Sequence, residues 1–501
     1  MKIAGVDIGT TGCKLTVFDE NGTYLDKAYQ DYPVKRGSSE HEVDARVIME
    51  GVLSVMKTIG EKYPDIAGIG VTSFGETFVL ADESGTPLHP AMLYTDPRGE
   101  KECLELEEKL GGMKIASITG LRPHVMYSIS KIMWMKRNKP ELYEQAKHIF
   151  LMEDYIVFNL TGTAQIDYSL ATRTMAFDIT TLTWSKEMFE AADIDQGLMS
   201  KPVPTGTSAG TIQKEIAEKT GLSIDTQIVS ISHDQVAAAV GAGVFDSNTA
   251  VDGAGTVECV TPIYDELPDS QVMYDGYYSV VPYVIPGKYV CYAFSYTGGA
   301  LIQWCVDTLA KKEKELADEQ GISVNEYLED RFGKNGTDID EPTGMLVLPH
   351  FAGAATPYMD TGSKGVIVGL TAGSTVSDIY RACMEGVVYE MMLNMEFLKD
   401  SGIHFGMIHA TGGGARSKIW MQMKADMLNV PITALKTVDA GTVGSAMLTG
   451  IAVGCFENLE DAAEHMVQKD KVYFPRPEMH AKYQKIYQKY RELYKAVRPL
   501  V

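Results

Sequence analysis

The sequence lacks several features that would point to common classes of protein. Its 501 residues include no apolar run of about 20 residues, the length that a membrane-spanning helix needs. The formal net charge is −22, which argues against nucleic acid or an anionic membrane surface as a partner. The seven cysteines are scattered without a CxxC pair, so we expect neither a disulfide framework nor a zinc site. Because Asp7 also interrupts any signal-like apolar core, these absences predict a soluble, cytoplasmic protein.

Two widespread nucleotide-binding motifs are missing as well. The chain has no GxxxxGK[ST] sequence, and no GxGxxG sequence follows a predicted strand, which disfavours a P-loop ATPase and a Rossmann dehydrogenase. A chain of 501 residues is also too long for a single hydrophobic core. We therefore expect two large domains, spanning residues 1–245 and 246–501.

A short motif with aspartate, glycine and threonine occurs twice, half a chain apart. The first copy is Asp7-Ile8-Gly9-Thr10-Thr11-Gly12-Cys13-Lys14 and the second is Asp252-Gly253-Ala254-Gly255-Thr256, each between two β-like runs. In such a turn the glycines let a phosphate approach the backbone N–H groups, Thr adds a hydroxyl, and Asp can hold a hydrated Mg²⁺. Either copy alone could be an ordinary hairpin turn. The repetition favours a duplicated, two-lobed protein with nucleotide phosphates between the lobes.

The elements predicted around these motifs indicate the fold. Three strands, a helix that begins after Asp44, and a further strand at IAGIGVTS give the order of a ribonuclease-H-like α/β domain. The glycine-rich loop Thr411–Ser417, between a strand and a helix, is either a flexible connection or a concavity for an anion or an adenosine. Four tyrosines near the C-terminus have the spacing of a helix that packs on the body: Tyr483, Tyr487, Tyr490 and Tyr494.

Two carboxylates have both a structural and a functional interpretation. Asp234, before the small-residue helix VAAAV, could be an N-cap, or it could be the base that orients an alcohol and accepts its proton during phosphoryl transfer. Glu76 follows the buried strand IAGIGVTS and could either pair with an arginine or accept hydrogen bonds from a polyol substrate. Lys131, beside a core Trp134, is expected to be solvated.

Longer segments resemble the signatures of the FGGY carbohydrate kinase family. Residues 126–134 (MYSISKIMW) resemble the first signature, and residues 365–370 with 378–385 resemble the second, with Cys383 in place of a small or aliphatic residue. The N-terminal D-x-G-T-T-x-x-K segment fits the same family, and the resemblance covers essentially the whole chain. It implies an α/β fold in which two actin-like (ribonuclease H-like) ATPase domains face a central cleft. It also implies ATP and Mg²⁺ as cofactors and phosphorylation of a terminal hydroxyl of a sugar or polyol.

Carried over by position, the resemblance implies roles for individual residues. Asp234 would be the catalytic base, with Gln235 beside it at the substrate, and Asp7 would lie near Mg²⁺, whereas Asp252 is expected to be only a turn residue. The residues implied to bind the nucleotide are Thr10, Thr11, Lys14, Gly255, Thr256, Gly299, Gln303, Gly413 and Ser417. The residues implied to contact the substrate are Gly75, Glu76, Asp96, Met126 and Gln235.

The pair Gly75-Glu76 bears on the identity of the substrate. Glycerol kinases have Arg-Glu at this point and xylulokinases have Met-His, so the glutamate resembles glycerol kinases whereas the arginine is missing. A glycine here would leave room for a longer substrate than glycerol, and Met126 stands where glycerol kinases have a tyrosine. We therefore expect phosphoryl transfer from ATP to a primary hydroxyl of a ketose, in the first place a pentulose such as xylulose.

Two other functions stay open at this point. A kinase for glycerol, erythritol or another polyol is motivated by Glu76. A non-metabolic actin-like ATPase would share the same cleft, although Asp234 would be superfluous in such a protein. The expected partners are a small-molecule sugar or polyol and ATP, without nucleic acid or membrane, and the resemblance is compatible with a homo-oligomer.

Overall fold

A computed structural model describes residues 1–37, 40–332, 340–436 and 439–500 of the chain. Two large mixed β-sheets, one in each half, form its centre. The strands of the described residues are β1 (Lys2–Ile8), β2 (Gly12–Asp19), β3 (Tyr24–Asp31), β4 (Lys35–Arg36), β5 (His41–Val43), β6 (Ile66–Ser73), β7 (Val79–Ala81), β8 (Ala91–Met92), β9 (His148–Phe150), β10 (Gln165–Asp167), β11 (Phe177–Asp178), β12 (Thr183–Trp184), β13 (Lys201–Val203), β14 (Thr207–Thr211), β15 (Gln227–His233), β16 (Thr249–Ala254), β17 (Glu258–Tyr264), β18 (Val281–Pro282), β19 (Tyr289–Val290), β20 (Ala293–Ser295), β21 (Leu346–Leu348), β22 (Val366–Val368), β23 (Met407–Thr411), β24 (Ile432–Leu435) and β25 (Lys469–Tyr473).

The helices of the same residues are α1 (Ala45–Gly60), α2 (Glu100–Leu110), α3 (Gly112–Thr119), α4 (Ser128–Asn138), α5 (Pro140–Gln145), α6 (Met152–Thr161), α7 (Tyr168–Thr172), α8 (Lys186–Ala192), α9 (Lys214–Thr220), α10 (Asp234–Gly241), α11 (Ser270–Asp275), α12 (Gly299–Leu309), α13 (Lys311–Gln320), α14 (Val324–Glu329), α15 (Val376–Asp400), α16 (Lys418–Leu428), α17 (Ala440–Ala452), α18 (Leu459–Met466) and α19 (Pro477–Val497).

The first sheet has the strand order β14-β15-β6-β1-β2-β3. Strands β1, β2 and β3 are antiparallel neighbours, whereas β6 runs parallel to β1 and β15 runs parallel to β6. The central strands β1 and β6 are the buried runs KIAGVDI and IAGIGVTS, as expected for strands that are covered on both faces. Helix α1 begins directly after Asp44, whose side chain accepts the Arg46 N–H, as the sequence predicts.

The second sheet repeats this arrangement. Its order is β18-β19-β17-β16-β23-β24-β25, and β20 also pairs with β17. Strand β16 is antiparallel to β17 and parallel to β23, which is parallel to β24. Strands β17, β16, β23 and β24 therefore have the same relative directions as β2, β1, β6 and β15, in that order, in the first sheet. The repetition confirms the predicted pair of ribonuclease-H-like domains, while their boundary at residue 245 stays a prediction.

Two small-residue helices join the halves. Helix α17, from the second half, packs against α10 and against β1 and β6 of the first half. A Cβ on Gly241 would lie 2.0 Å from the Ala440 carbonyl oxygen, and one on Gly444 would lie 1.9 Å from the Ala237 carbonyl oxygen. Only glycine permits so close an approach of two helices. The N-terminus of α17 is thereby held beside the strand ends of the first sheet.

The C-terminal helix and the surface agree with the sequence pattern. Tyr483, Tyr487 and Tyr490 are buried on α19, which confirms that their spacing marks a packed helix. All seven cysteines are free. Within the described ranges, no helix is long and apolar enough to cross a membrane.

Candidate active site

The candidate active site lies where three parallel strands end at one edge of the first sheet. Strands β1 and β15 flank β6, and both end level with Ser73, the last residue of β6. Side chains that follow the carboxyl ends of neighbouring parallel strands meet at the same edge. This topology brings together the three carboxylates that the sequence singles out separately, Asp7, Glu76 and Asp234, and the charges of the first two act on the third.

Asp234 is the first residue of α10 rather than its N-cap, and its side chain is 33% exposed. Burial raises the pKa of Asp234 to about 7, and the negative charges of Asp7 and Glu76 add to this effect. The backbone N–H of Gln235 and the guanidinium of Arg173 act in the opposite direction. A carboxyl group with a pKa near neutrality is well matched to accept a proton from an alcohol.

His233 precedes Asp234 and is the N-cap of α10. Its backbone N–H donates to Ser169 Oγ at 2.9 Å, and its Nε2 lies 3.3 Å from Asp234 Oδ1. Burial, together with the positive charge of Arg173, holds the pKa of His233 well below its usual range. The imidazole is therefore neutral near pH 7, and it supplies no positive charge that would lower the pKa of Asp234.

Asp7 shares a lysine with a carboxylate from the second half of the chain. Lys14 Nζ lies 3.0 Å from Asp7 Oδ2 and 2.7 Å from Asp439 Oδ1. Asp439 is the residue directly before α17. The three side chains are 16–30% exposed, so their charges are accessible from the cleft. Sequence reasoning missed Asp439, because only the packing of α17 on the first sheet brings it to Asp7.

The donor set at this point fits Mg²⁺. Carboxylate oxygens of Asp7 and Asp439 are hard ligands, and Mg²⁺ is commonly held by one or two carboxylates with water and phosphate in the remaining positions. Over the described ranges, no group of three or more His, Cys, Asp or Glu side chains could hold a metal by itself. The residues present therefore suit a Mg²⁺ ion whose ligands come mainly from a nucleotide and water.

Glu76 is buried and paired with Arg173. Arg173 Nε donates to Glu76 Oε1 at 2.6 Å, and Nη2 donates to the same oxygen. Gly75 does not leave the space that the sequence analysis expects for a longer substrate. A Cβ there would lie 2.9 Å from Arg173 Cγ and 3.1 Å from His233 Cδ2. The arginine that is missing beside Glu76 in the sequence is thus supplied by Arg173, 97 residues later, and its side chain fills that space.

The expected nucleotide residues of the second half line one large cavity of about 1380 Å³. They are Gly255, Thr256, Gly299, Gln303, Gly413 and Ser417. The backbone N–H of Gly299 donates to the Gly255 carbonyl, and that of Ala300 donates to the Thr256 carbonyl, so the second Asp-Gly-Thr turn and the start of α12 form one wall. Sequence reasoning missed further lining residues that no local motif marks, among them Asn325 and Glu329.

Thr10 and Thr11 belong to the other turn. They lie between β1 and β2, where the Gly9 N–H donates to the Gly12 carbonyl at 2.9 Å. Thr11 is exposed and Thr10 is half-buried, and neither lines the large cavity of the second half. The candidate site therefore consists of a carboxylate edge in the first half and a cavity in the second.

Comparison with known proteins gives the family of this two-part site. The description "FGGY family of carbohydrate kinases, N-terminal domain" matches residues 2–241, and the corresponding C-terminal domain matches residues 254–453. The chain belongs to the FGGY family of carbohydrate kinases. This assignment confirms the resemblance seen in the sequence, and the interpretation as a non-metabolic actin-like ATPase is thereby set aside.

Individual relatives are similar over almost their whole length. A xylulose kinase from Lactococcus lactis subsp. lactis is 27% identical, over 98% of this chain and 96% of its own. A glycerol kinase from Halorhodospira halophila is 31% identical, over 95% of this chain and 92% of its own. The crystal structure of a ligand-bound xylulose kinase from Lactobacillus acidophilus has a TM-score of 0.88 at 26% identity, covering 99% of this chain and 98% of that one.

The other residues that the sequence predicts to contact the substrate have different surroundings from one another in this FGGY kinase. Asp96 is not exposed, and its oxygens accept from the Arg98 guanidinium at 2.9 and 2.7 Å and from the His41 N–H at 2.8 Å. It organises its own loop, so we do not retain it as a substrate contact. Met126 lines a small cavity beside Arg173, and Gln235 is half-buried next to Asp234.

The expectation that Lys131 is solvated is wrong. The side chain is fully buried on α4, and its Nζ donates to the Val125 carbonyl. Burial lowers the pKa of Lys131 to about 8, although the charges of Asp96 and Glu76 oppose this shift. The lysine is therefore a buried positive charge in the first half, near Asp96 and Glu76.

Proposed function

We propose that this carbohydrate kinase transfers the γ-phosphoryl group of ATP to a primary hydroxyl of a ketose, with a pentulose such as xylulose as the preferred acceptor. The observation that carries the proposal is the Asp234 carboxyl, which is one-third exposed at the junction of three strand ends and has a pKa of about 7. The relatives named xylulose kinase, which span the whole chain, support the choice of acceptor.

Asp234 acts as the base in the proposed reaction. The acceptor hydroxyl oxygen forms a bond to the γ-phosphorus, the bond from that phosphorus to the β–γ bridging oxygen breaks, and ADP leaves. The hydroxyl proton passes to the Asp234 carboxylate. Because burial and two neighbouring carboxylates raise its pKa, Asp234 is a stronger base than an ordinary aspartate and is still largely ionised above pH 7.

ATP would occupy the cavity of the second half. Its phosphates would lie between the Thr256 turn and the Thr10–Thr11 turn, whose backbone N–H groups and hydroxyls suit phosphate oxygens. Asp7 and Asp439 would hold Mg²⁺, which neutralises charge on the transferring phosphoryl group when bound. Lys14, between these two carboxylates, would bring a positive charge to the same place.

A polyol kinase is the second candidate, and a specific contact favours it. Glycerol kinases have an arginine next to this glutamate in the sequence, and this chain does not. Here Arg173 contacts Glu76 in space, which restores an arginine–glutamate pair. The glycerol kinase relative is also 31% identical to this chain. The acceptors of the two candidate reactions differ in one group: a ketose carries a carbonyl oxygen, and a polyol does not.

A panel of acceptors decides between the two. The purified protein is given MgATP with D-xylulose, L-xylulose, D-ribulose, erythritol or glycerol, and ADP release is compared with a reaction that lacks an acceptor. We expect the highest kcat/KM for a pentulose, with a phosphorylated sugar identified by mass spectrometry. A higher kcat/KM for a polyol selects the second candidate, and a lack of turnover with every ketose and polyol contradicts the proposal.

A further inference from the structure

Arg173 is a buried guanidinium that protein contacts use only in part. Its side chain is 6% exposed, and both Nε and Nη2 donate to one oxygen of Glu76. Nη1 is also buried, and it has no hydrogen-bond partner among the residues that the structure describes. A buried donor without a partner is costly, so it indicates a position that a ligand satisfies.

Two aromatic rings flank the guanidinium of Arg173. Its guanidinium lies against the rings of Tyr127, at 5.2 Å, and Tyr292, at 5.6 Å. The ring of Tyr292 also lies 5.3 Å from that of His233, the residue before the proposed base. Arg173 therefore lies near the proposed base, and its charge acts on the pKa of Asp234.

The space beside Arg173 is small. A cavity of about 20 Å³, lined by Arg173, Tyr127 and Met126 among others, has room for about one oxygen atom and not for a sugar ring. Glu76 balances the positive charge of Arg173, whereas a second guanidinium, that of Arg122, lines the same cavity. The site thus offers a hydrogen-bond donor to a single oxygen atom of a bound molecule.

We propose that Arg173 is a substrate-binding residue that sets specificity, because its Nη1 donates a hydrogen bond to one oxygen of a sugar or polyol held against Asp234. This inference rests on the proposed function. Glu76 is then a positioning residue, since it orients the guanidinium and neutralises its charge. The Nη1 donor discriminates against acceptors that lack the matching oxygen, because it would again be left unpaired.

The test compares Arg173→Met with the wild type on the best acceptor of the panel and on its deoxy analogues, one for each oxygen that is not phosphorylated. Because Arg173→Met leaves a buried carboxylate unpaired, the double variant Arg173→Met/Glu76→Gln is measured as well. We expect kcat/KM for the parent sugar to fall by about 10- to 150-fold, mainly through KM, the range for a hydrogen bond to a charged group. For the one analogue that lacks the bonded oxygen, wild type and variants should agree within about threefold.

Arg122→Met is the matched control. Arg122 lines the same small cavity and also stacks on two tyrosines, but its Nη1 donates to the Tyr274 carbonyl. We expect this variant to change the kcat/KM of the parent sugar and of all analogues by the same factor. KM for ATP should stay unchanged in all variants.

Two results are decisive. If the folded double variant discriminates between the parent and every analogue as the wild type does, the role of Arg173 is contradicted. If the wild type phosphorylates no ketose or polyol at all, the proposed function itself fails, whatever the variants show.

Discussion

Beside each of the two Asp-Gly-Thr turns a lysine lies between two carboxylates, yet the two clusters differ in accessibility. The cluster beside the first turn, the open triad, consists of Asp7 and Lys14 of the first half and Asp439 of the second, with side chains 16%, 30% and 28% exposed. The cluster of the second half, the closed triad, consists of Asp252, Lys424 and Glu258, with side chains 0%, 0% and 2% exposed. The two aspartates, near the ends of the corresponding strands β1 and β16, are thus partly exposed in one cluster and fully buried in the other.

The difference shows that burial, not the motif, decides what an aspartate in this turn does. In the closed triad Lys424 Nζ lies 2.6 Å from Asp252 Oδ2 and also contacts Glu258, while burial and the charge of Asp252 raise the pKa of Glu258. A buried cluster of this kind is held by its internal pairing and reaches no ligand. Asp252 is therefore an ion-pair partner rather than only a turn residue, and the open triad alone can meet a nucleotide or a metal.

Removing the lysine from each triad should separate the two roles most strongly. Lys424→Met leaves two buried carboxylates without their cation, and we expect it to lower the free energy of unfolding by about 3–5 kcal/mol. Lys14→Met, the matched change in the open triad, should cost about 1 kcal/mol or less because water screens its partners. Urea denaturation followed by circular dichroism measures both. Equal losses of stability in the two variants would contradict the distinction.

Neutralising the first aspartate of each turn should give the reverse pattern in activity. Asp7→Asn removes a charge that the nucleotide and metal can reach, so we expect kcat to fall by about 10- to 100-fold with little change in stability. Raising the Mg²⁺ concentration should recover part of this loss. Asp252→Asn is the control, and its effect should appear in the denaturation midpoint instead. Unchanged kcat and Mg²⁺ dependence in Asp7→Asn would remove the open triad from the catalytic site.

The charges around Asp234 predict a pH dependence of smaller size. Since the base must be ionised, log kcat/KM should rise by about one unit per pH unit below the pKa of about 7 and level off above it. Glu76→Gln removes one of the negative charges that raise this pKa, so the rising limb should move to lower pH. Profiles between about pH 5 and pH 9 for both proteins check this. If the rising limb moved to higher pH in Glu76→Gln, the claim that the charge of Glu76 raises the pKa of Asp234 would be contradicted.

The smallest effect concerns stability at the base itself. Because the folded pKa of Asp234 lies above its unfolded value of about 3.9, the protonated group contributes stability at low pH that is lost as the pH rises through 7. Asp234→Asn stays neutral, so it should stabilise the protein at pH 8 by about 1 kcal/mol, a modest value because the side chain is one-third exposed. At pH 4 the variant and the wild type should unfold at about the same urea concentration. A destabilised variant at pH 8 would contradict the raised pKa.

Short-range features of the site could be predicted from the sequence, whereas long-range pairings could not. The turns, the Asp44 cap and the buried tyrosines of α19 depend on residues a few positions apart, and periodicity reveals them. Arg173 meets Glu76 across 97 residues and Lys424 meets Asp252 across 172, so no local pattern marks either pair. The same reason explains why Gly75 was expected to face open space. A glycine in a sequence shows that no Cβ is present, but not which distant side chain fills the room.

The central claim is that Asp234 is the base of a sugar kinase, and Asp234→Asn tests it most directly. Turnover of the best acceptor is measured together with ATP binding by calorimetry, on protein whose folding is checked by circular dichroism. We predict a fall in kcat of about 100- to 10,000-fold, as for loss of a general base, with a Kd for ATP within about threefold of the wild type. Near-normal turnover in the folded variant would contradict the account.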